Sequence, residues 1–281
     1  MGTDKRARQK EFHRSRLEAA RKEAAAAKRR QRVIRVGAIV GAMVILLGVM
    51  AIFGGRDDTS KDSATKTTTS TTPASTTPSA AATLKGPGPG ATIKGDTPCP
   101  KADGSSARTT SFENPPPTCI DASKTYKATF QTTKGNFTVT LDAKAAPVTV
   151  NNFVVLARYH FYDGIPFHRI VPDFVIQAGD PSDTPDGQGG PGYTIKEEPP
   201  ANKTYEKYDL AMAKTSAPNS TGSQFFVVTG DPSALNSAGT YSLFGKVTEG
   251  TEVVDAIAAT PVTGDQPNEQ VTIERLTITE S

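Results

Sequence analysis

The sequence predicts a mainly β domain, a closed antiparallel barrel capped by two α-helices, set behind a transmembrane helix and a disordered stalk. Three observations carry this expectation. An uncharged run of 18 residues spans Val36 to Phe53. Of the 25 residues from Thr59 to Thr83, 17 are Ser, Thr or Pro. Beyond Thr125, short apolar runs recur between Gly- and Pro-rich loops, with two stretches of helical period among them.

The N-terminal tail, residues 1–35, carries 13 Lys and Arg against 4 Asp and Glu. The other 246 residues carry 19 against 25. The basic pI of about 8.7 therefore reports a basic tail and not a basic domain. That excludes a basic nucleic-acid-binding domain. The tail's large apolar residues, Phe12 and Leu17, make no stripe. It reads as a solvated topogenic segment in contact with anionic lipid, with an RNA-binding or partner-recruiting arm as the alternative.

Residues 36–55 read as the membrane helix. At about 1.5 Å per residue the apolar run reaches roughly 27 Å, close to the hydrocarbon thickness of a bilayer. A long basic segment precedes it, and Gly54-Gly55-Arg56-Asp57-Asp58 follows it in place of a small-residue cleavage site. An uncleaved signal anchor is the expectation, with a cleaved signal peptide as the rival. The basic flank places the N-terminus in the cytoplasm and the remainder across the membrane, with lipid contacted through residues 36–55.

Residues 56–95 read as a stalk, since Ser, Thr and Pro bury too little apolar area to offset chain entropy. Residues 96–124 form an extension holding the chain's two cysteines, Cys99 and Cys119. Outside the cytoplasm these two are expected to pair, two reduced thiols being the alternative. The bridge would stabilise by about 3 kcal/mol on the chain-entropy account.

The folded domain occupies residues 125–281. Tyr126, Ala128 and Phe130, then Phe137, Val139 and Leu141, alternate with polar residues across a Lys134-Gly135 turn and predict a hairpin. Val150, Phe153, Val154, Ala157 and Phe161 follow helical spacing behind Pro147. A second helix is expected over about Thr251–Ala259, stopped by Pro261. Further strands are expected within Phe167–Ala178, Asp209–Ala213, Phe225–Val228, Leu243–Val247 and Val271–Thr279.

Gly187 to Gly192 matches the spacing of a dinucleotide-binding turn, but Pro191 removes a donor and no helix is expected after it, so it reads as a mobile loop. His160 and His168 lack a third ligand, and Ser223 has no nearby base. Neither a metal nor a cofactor is expected. The stretch Phe167 to Asp180 is more informative. A bulge or turn at Pro172-Asp173 would bring Arg169, Phe174 and Gln177 to one cleft. The adjacent pair Phe225 and Phe226 is expected to divide between core and pocket.

FHRIVPDFVIQAGD at Phe167–Asp180, LAMAKT at Leu210–Thr215, SQFFVVT at Ser223–Thr229 and LFGKV at Leu243–Val247 resemble, in that order, a cyclophilin-type peptidyl-prolyl isomerase. The resemblance covers roughly Tyr126 to Ile278. The whole arrangement is similar to membrane-anchored cyclophilins of high-GC Gram-positive bacteria. The resemblance implies an eight-stranded barrel and proline-containing polypeptides as substrates. It implies that Arg169 is the catalytic arginine and that Phe174, Val175, Phe226 and Leu235 make the proline pocket. Gln177 matches the residue that bonds substrate backbone and Arg169. His168 and Gln224 match groove residues, and Ala213 and Lys214 match the pair beside the residue before proline.

There are departures. Ala178 replaces a usual Gly, and Lys214 a common Asn. Ala234 stands where many members have Trp, and Tyr241, in the substrate groove, where many have His. Loss of the indole implies weak binding of cyclosporin. The chemistry breaks no bond, so the expected function is acceleration of X–Pro exchange in proteins folding outside the cytoplasm. A non-catalytic proline-peptide-binding or chaperone module is the alternative.

Overall fold

A computed structural model describes residues 80–201 and 204–281 of the chain. The basic tail, the membrane helix at 36–55 and the stalk up to residue 79 lie outside the described residues. Among the described residues no helix is long and apolar enough to cross a membrane.

Two short strands come first, β1 (Ala91–Ile93) and β2 (Thr109–Phe112), paired in parallel. Next are β3 (Tyr126–Thr132) and β4 (Gly135–Leu141), helix α1 (Pro147–Arg158), β5 (Arg169–Val171) and β6 (Val175–Ala178). Then β7 (Asp209–Met212), β8 (Phe225–Val228), helix α2 (Ser233–Ala238) and β9 (Leu243–Glu249) follow. Helix α3 (Thr251–Ala258), β10 (Val262–Thr263), β11 (Gln266–Pro267) and β12 (Ile273–Glu280) complete the chain. Eight strands form one antiparallel sheet in the order β12-β3-β4-β9-β7-β8-β6-β5.

The period-2 pattern decides what each strand buries. Tyr126, Ala128 and Phe130 of β3 are buried while Lys127 and Gln131 are exposed. Phe130 stacks on Phe137 across the hairpin, with ring centroids 4.5 Å apart. Phe153 of α1 packs against Phe225 and Phe244 inside the curl of the sheet. This aromatic set is the centre of the main core.

The expected closed barrel is corrected to an open, curled sheet: no strand ladder joins β5 to β12. Among the described residues the two ends meet through the segment before β5, by a bridge at Pro166–Thr272 and by bonds from Phe167 N to Val271 O at 2.9 Å, Gly164 N to Ile273 O at 2.7 Å and Ile273 N to Ile165 O at 2.9 Å. Pro166 has no N–H to extend that pairing. The Ile170 amide is instead taken by Asp265 O at 2.8 Å, so the β10–β11 hairpin occupies the edge that closure would need. The count of two helices is corrected as well. Helix α2 is a third, six residues long, and its Ser- and Ala-rich sequence offers one buried anchor, Leu235, too few for a helical period.

The stalk ends earlier than its composition suggests. From Ala82 onward the chain lies against the domain. Ala82 N donates to Pro267 O at 2.9 Å and Gln266 Nε2 donates to Ala82 O at 2.8 Å. Lys85 exchanges two bonds with the Gln270 side chain, and Leu84 is buried. The extension is also packed down. The Cys99–Cys119 disulfide lies beside α1, where Cys119 N donates to Asn151 Oδ1 and Asn151 Nδ2 donates to Pro117 O. These contacts explain why α1 is buried on nearly all sides from Thr149 to Arg158, although its sequence reads as one-faced. Its N-terminal donors have no local cap. Glu198 supplies one from 49 residues away, accepting from Thr149 N and Thr149 Oγ1, both at 2.8 Å.

Candidate active site

Alternation in three adjacent strands builds a second apolar cluster on the face of the sheet away from the main core. In β6, Ile176 enters the core and Val175 the other cluster. In β8, Phe225 and Val227 face the core while Phe226 and Val228 face outward. In β7, Leu210 and Met212 go inward and Ala211 outward. Leu235 from α2 and Tyr205 from a loop join these outward residues, with Val171, Phe174, Ala213, Tyr241 and Leu243 packed against them. The expected split of Phe225 and Phe226 is therefore what the structure shows.

Hairpin β5–β6 sets the polar side. Its turn, Pro172–Phe174, has Asp173 at φ +57°, and Thr229 N donates to Phe174 O at 2.8 Å, tying the turn to the end of β8. The register places Arg169 directly opposite Gln177, and Gln177 opposite Phe226. A chain of side-chain bonds follows. Arg169 Nη1 lies 3.5 Å from Gln177 Oε1, and Gln177 Nε2 donates to Gln224 Oε1 at 3.0 Å. Gln224 Nε2 then donates to the carbonyls of Gly187 and Gly189. On its other side, Arg169 Nε donates to Asp265 Oδ2 at 3.0 Å. The guanidinium, the two amides and the apolar cluster thus share one region, joined across adjacent strands.

His168 is buried beside Arg169, and burial holds its pKa below the ordinary imidazole value. Neither ring nitrogen has a hydrogen-bond partner among the described residues. Lys214 and Ala213 are half-buried and line a cavity of about 570 Å³ together with Gln177, Gln224 and the 187–194 loop. A cavity of about 880 Å³ on the other flank shares Gln177 and Gly187 and adds His168 and Arg169. A third, of about 810 Å³, lies around Lys124, Lys144, Glu206 and Lys246 and touches the site's apolar cluster only at Leu243.

The loop that imitates a dinucleotide motif is organised from within. Asp180, fully buried, accepts from Asp186 N, Gly187 N and Gly189 N through Oδ2 and from Ser182 through Oδ1. The Gly187 and Gly189 amides, which a phosphate would need, are already bonded. Burial works against this charge, yet the bonds from Ser182, Gly189 and Gly187 outweigh it and hold the carboxyl below its usual range.

Ala178 sits in regular strand geometry with its side chain in the core, so the missing glycine costs nothing there. The strict requirement falls one residue later, at Gly179, where φ is +99° and a Cβ would lie 2.5 Å from Ser223 O.

Sequence reasoning missed Asp265, Tyr205, Asn236 and Val171. Tyr205 OH donates to Tyr241 O and accepts from Tyr241 N, while Asn236 bonds both main-chain groups of Tyr205. That network fixes α2 and Tyr241 beside Phe226, whose ring meets Tyr241 edge-on at 5.4 Å. Of these, Asp265 follows Gly264 in a turn, where an Asp is ordinary and signals no role.

The family described as cyclophilin type peptidyl-prolyl cis-trans isomerase/CLD matches residues 127–278. Among curated relatives, the probable peptidyl-prolyl cis-trans isomerase A of Mycobacterium leprae is 41% identical over 170 residues, covering 54% of this chain and 91% of that protein. Peptidyl-prolyl cis-trans isomerase B of Bacillus subtilis is 50% identical over 110 residues, covering 39% of this chain and 73% of that protein. A crystal structure of a Cryptosporidium parvum cyclophilin type isomerase, in the presence of the dipeptide Ala-Pro, superposes with a TM-score of 0.51 at 29% identity, covering 54% of this chain and 98% of that one. With its matched region spanning more than half of its length and its strands in this arrangement, the chain belongs to the cyclophilin family and is a peptidyl-prolyl cis-trans isomerase.

Proposed function

We propose that Arg169 accelerates the reaction by donating a hydrogen bond to the prolyl nitrogen as the amide twists. The conjugated nitrogen is a poor acceptor, whereas the pyramidal nitrogen of the twisted amide is a good one, so the bond strengthens only near the transition state. The barrier to be lowered is about 18–20 kcal/mol, and each ~1.4 kcal/mol of differential stabilisation gives tenfold in rate.

The observation that supports this is the placement of the guanidinium. Asp265 takes Arg169 Nε, and Gln177, which the register sets opposite Phe226 of the apolar cluster, stands 3.5 Å from Nη1. Phe174, Val175, Phe226 and Leu235 supply the apolar surface for a pyrrolidine ring. Gln177, with Ala213, Lys214, Gln224 and His168 around it, offers polar partners for the flanking backbone, and Tyr241 walls the slot. Arg169→Ala is expected to lower kcat/KM for an Ala-Pro peptide by at least about a hundredfold while leaving the thermal midpoint within a few degrees. Wild-type exchange rates in that variant would reject the role.

We further propose that residues 36–55 anchor the enzyme in the cell membrane, contacting lipid, with the N-terminus inside and the isomerase domain outside. The charge asymmetry of the flanks and the paired Cys99 and Cys119 support this reading. Its substrates are then translocated chains whose X–Pro bonds exchange slowly. Cyclosporin is expected to bind weakly, since Ala234 is exposed and offers neither a ring nor an indole donor to the groove.

A further inference from the structure

The 880 Å³ cavity beside Arg169 has a wall that lies outside the family-matched residues. Its lining includes Ala81 to Leu84 as well as His168, Arg169, Gln177 and the Asp265-Gln266 turn. This strap of four residues is fixed at both ends. Ala82 is held by Gln266 and Pro267, Lys85 by Gln270, and the Leu84 side chain is buried between them. Thr83 lies between the two anchors, and its amide and carbonyl carry no hydrogen bond among the described residues. His168, also in the lining, is nine-tenths buried, and its ring nitrogens are shut off from solvent.

The exposed main chain of Thr83 is thus an unused donor and acceptor in the lining of the volume that opens beside the proposed catalytic arginine. Water alone satisfies this exposed pair in the empty enzyme. An extended polypeptide satisfies them as it enters, because each of its residues carries a main-chain donor and acceptor at strand spacing. The hairpin ties the wall to the arginine: Gln266 grips Ala82 while its neighbour Asp265 holds Arg169 Nε.

We infer that the strap is part of the substrate groove and binds polypeptide flanking the proline, so that this enzyme discriminates in favour of long, unfolded chains over short peptides. The inference rests on the proposed role of Arg169. A short peptide occupies the proline slot alone, whereas a longer one also reaches Thr83.

The test uses the full-length protein with two substrates, a four-residue peptide and a twelve-residue peptide sharing the same central Ala-Pro. Thr83→Pro removes the free amide donor. The ratio of kcat/KM for the long peptide to that for the short one is expected to fall about tenfold in Thr83→Pro, through KM. Arg169→Ala is expected to depress both substrates alike, which separates failure of the strap from failure of the catalytic assignment. A backbone amide shift map of the wild-type protein guards against a folding defect. The Thr83 amide is expected to shift on titration with the long peptide and not with the short one. An unchanged ratio together with a still Thr83 amide would overturn the inference. So would a variant that turns over the long peptide faster, since the strap would then be a cover and not a wall.

Discussion

Asp180 shows how one side chain can settle the use of a whole loop. Its two oxygens collect three backbone amides and both the amide and the hydroxyl of Ser182, and so they shape the 180–189 turn that borders Gln177 and Gln224. Asn at that position would turn an NH₂ group toward those donors. Asp180→Asn is therefore expected to cost about 2 kcal/mol of stability, the scale of unsatisfied buried polar groups. The pH dependence has a definite sign. The folded carboxyl has a lowered pKa, so its contribution is fully present above the ordinary value near 3.8 and is lost as pH falls through the folded value. Urea midpoints of wild type and variant, compared from about pH 6 down to about pH 3, should converge at the acid end. A gap independent of pH would show that the charge is not what holds the loop.

At the scale of elements, β8 carries two jobs in four residues. All four are buried, yet Phe225 belongs to the aromatic core and Phe226 to the groove. The two truncations should therefore separate. Phe225→Ala is expected to cost about 3–5 kcal/mol of stability. Phe226→Ala is expected to lose less stability and to raise KM for proline peptides several-fold, because its ring faces Tyr241 and the slot and not the packed interior. Denaturant titration beside peptide kinetics checks both, and equal stability losses would contradict the division of faces. That division was legible in the sequence, since alternation in a strand needs no partner to be read. Helix α2 was not, because six residues with a single buried leucine carry no period. The capping of α1 by Glu198 was equally hidden: the donor and acceptor sit far apart in the chain.

For the molecule as a whole, residues 82–124, upstream of the matched domain, are structural participants. The extension places Phe112 edge-on against Tyr159 and Tyr193, and Tyr193 belongs to the loop that lines the Lys214 cavity. The Cys99–Cys119 bridge closes this extension over α1. Reduction is expected to lower stability by about 3 kcal/mol on the loop-entropy account, read as a shift in the urea midpoint. In intact cells the same pair is expected to resist thiol alkylation, as an oxidising compartment requires. Ready labelling without a reductant would place the domain on the other side of the membrane from the one proposed.

The residues themselves determined the strand faces, the helical stripes and the order of motifs that carry Arg169, Phe174, Gln177 and Phe226, because each depends on periods of two to four residues or on short runs of neighbours. Tertiary structure alone decided that the sheet stays open, that the end of the stalk becomes a wall, and that Asp265 and Tyr205 support the groove. Those outcomes depend on which distant segments meet: Arg169 and Asp265 stand 96 positions apart, and Lys85 and Gln270 stand 185 apart. Local patterning holds no record of such pairs, since the free energy that selects them appears only once the core has brought the segments together.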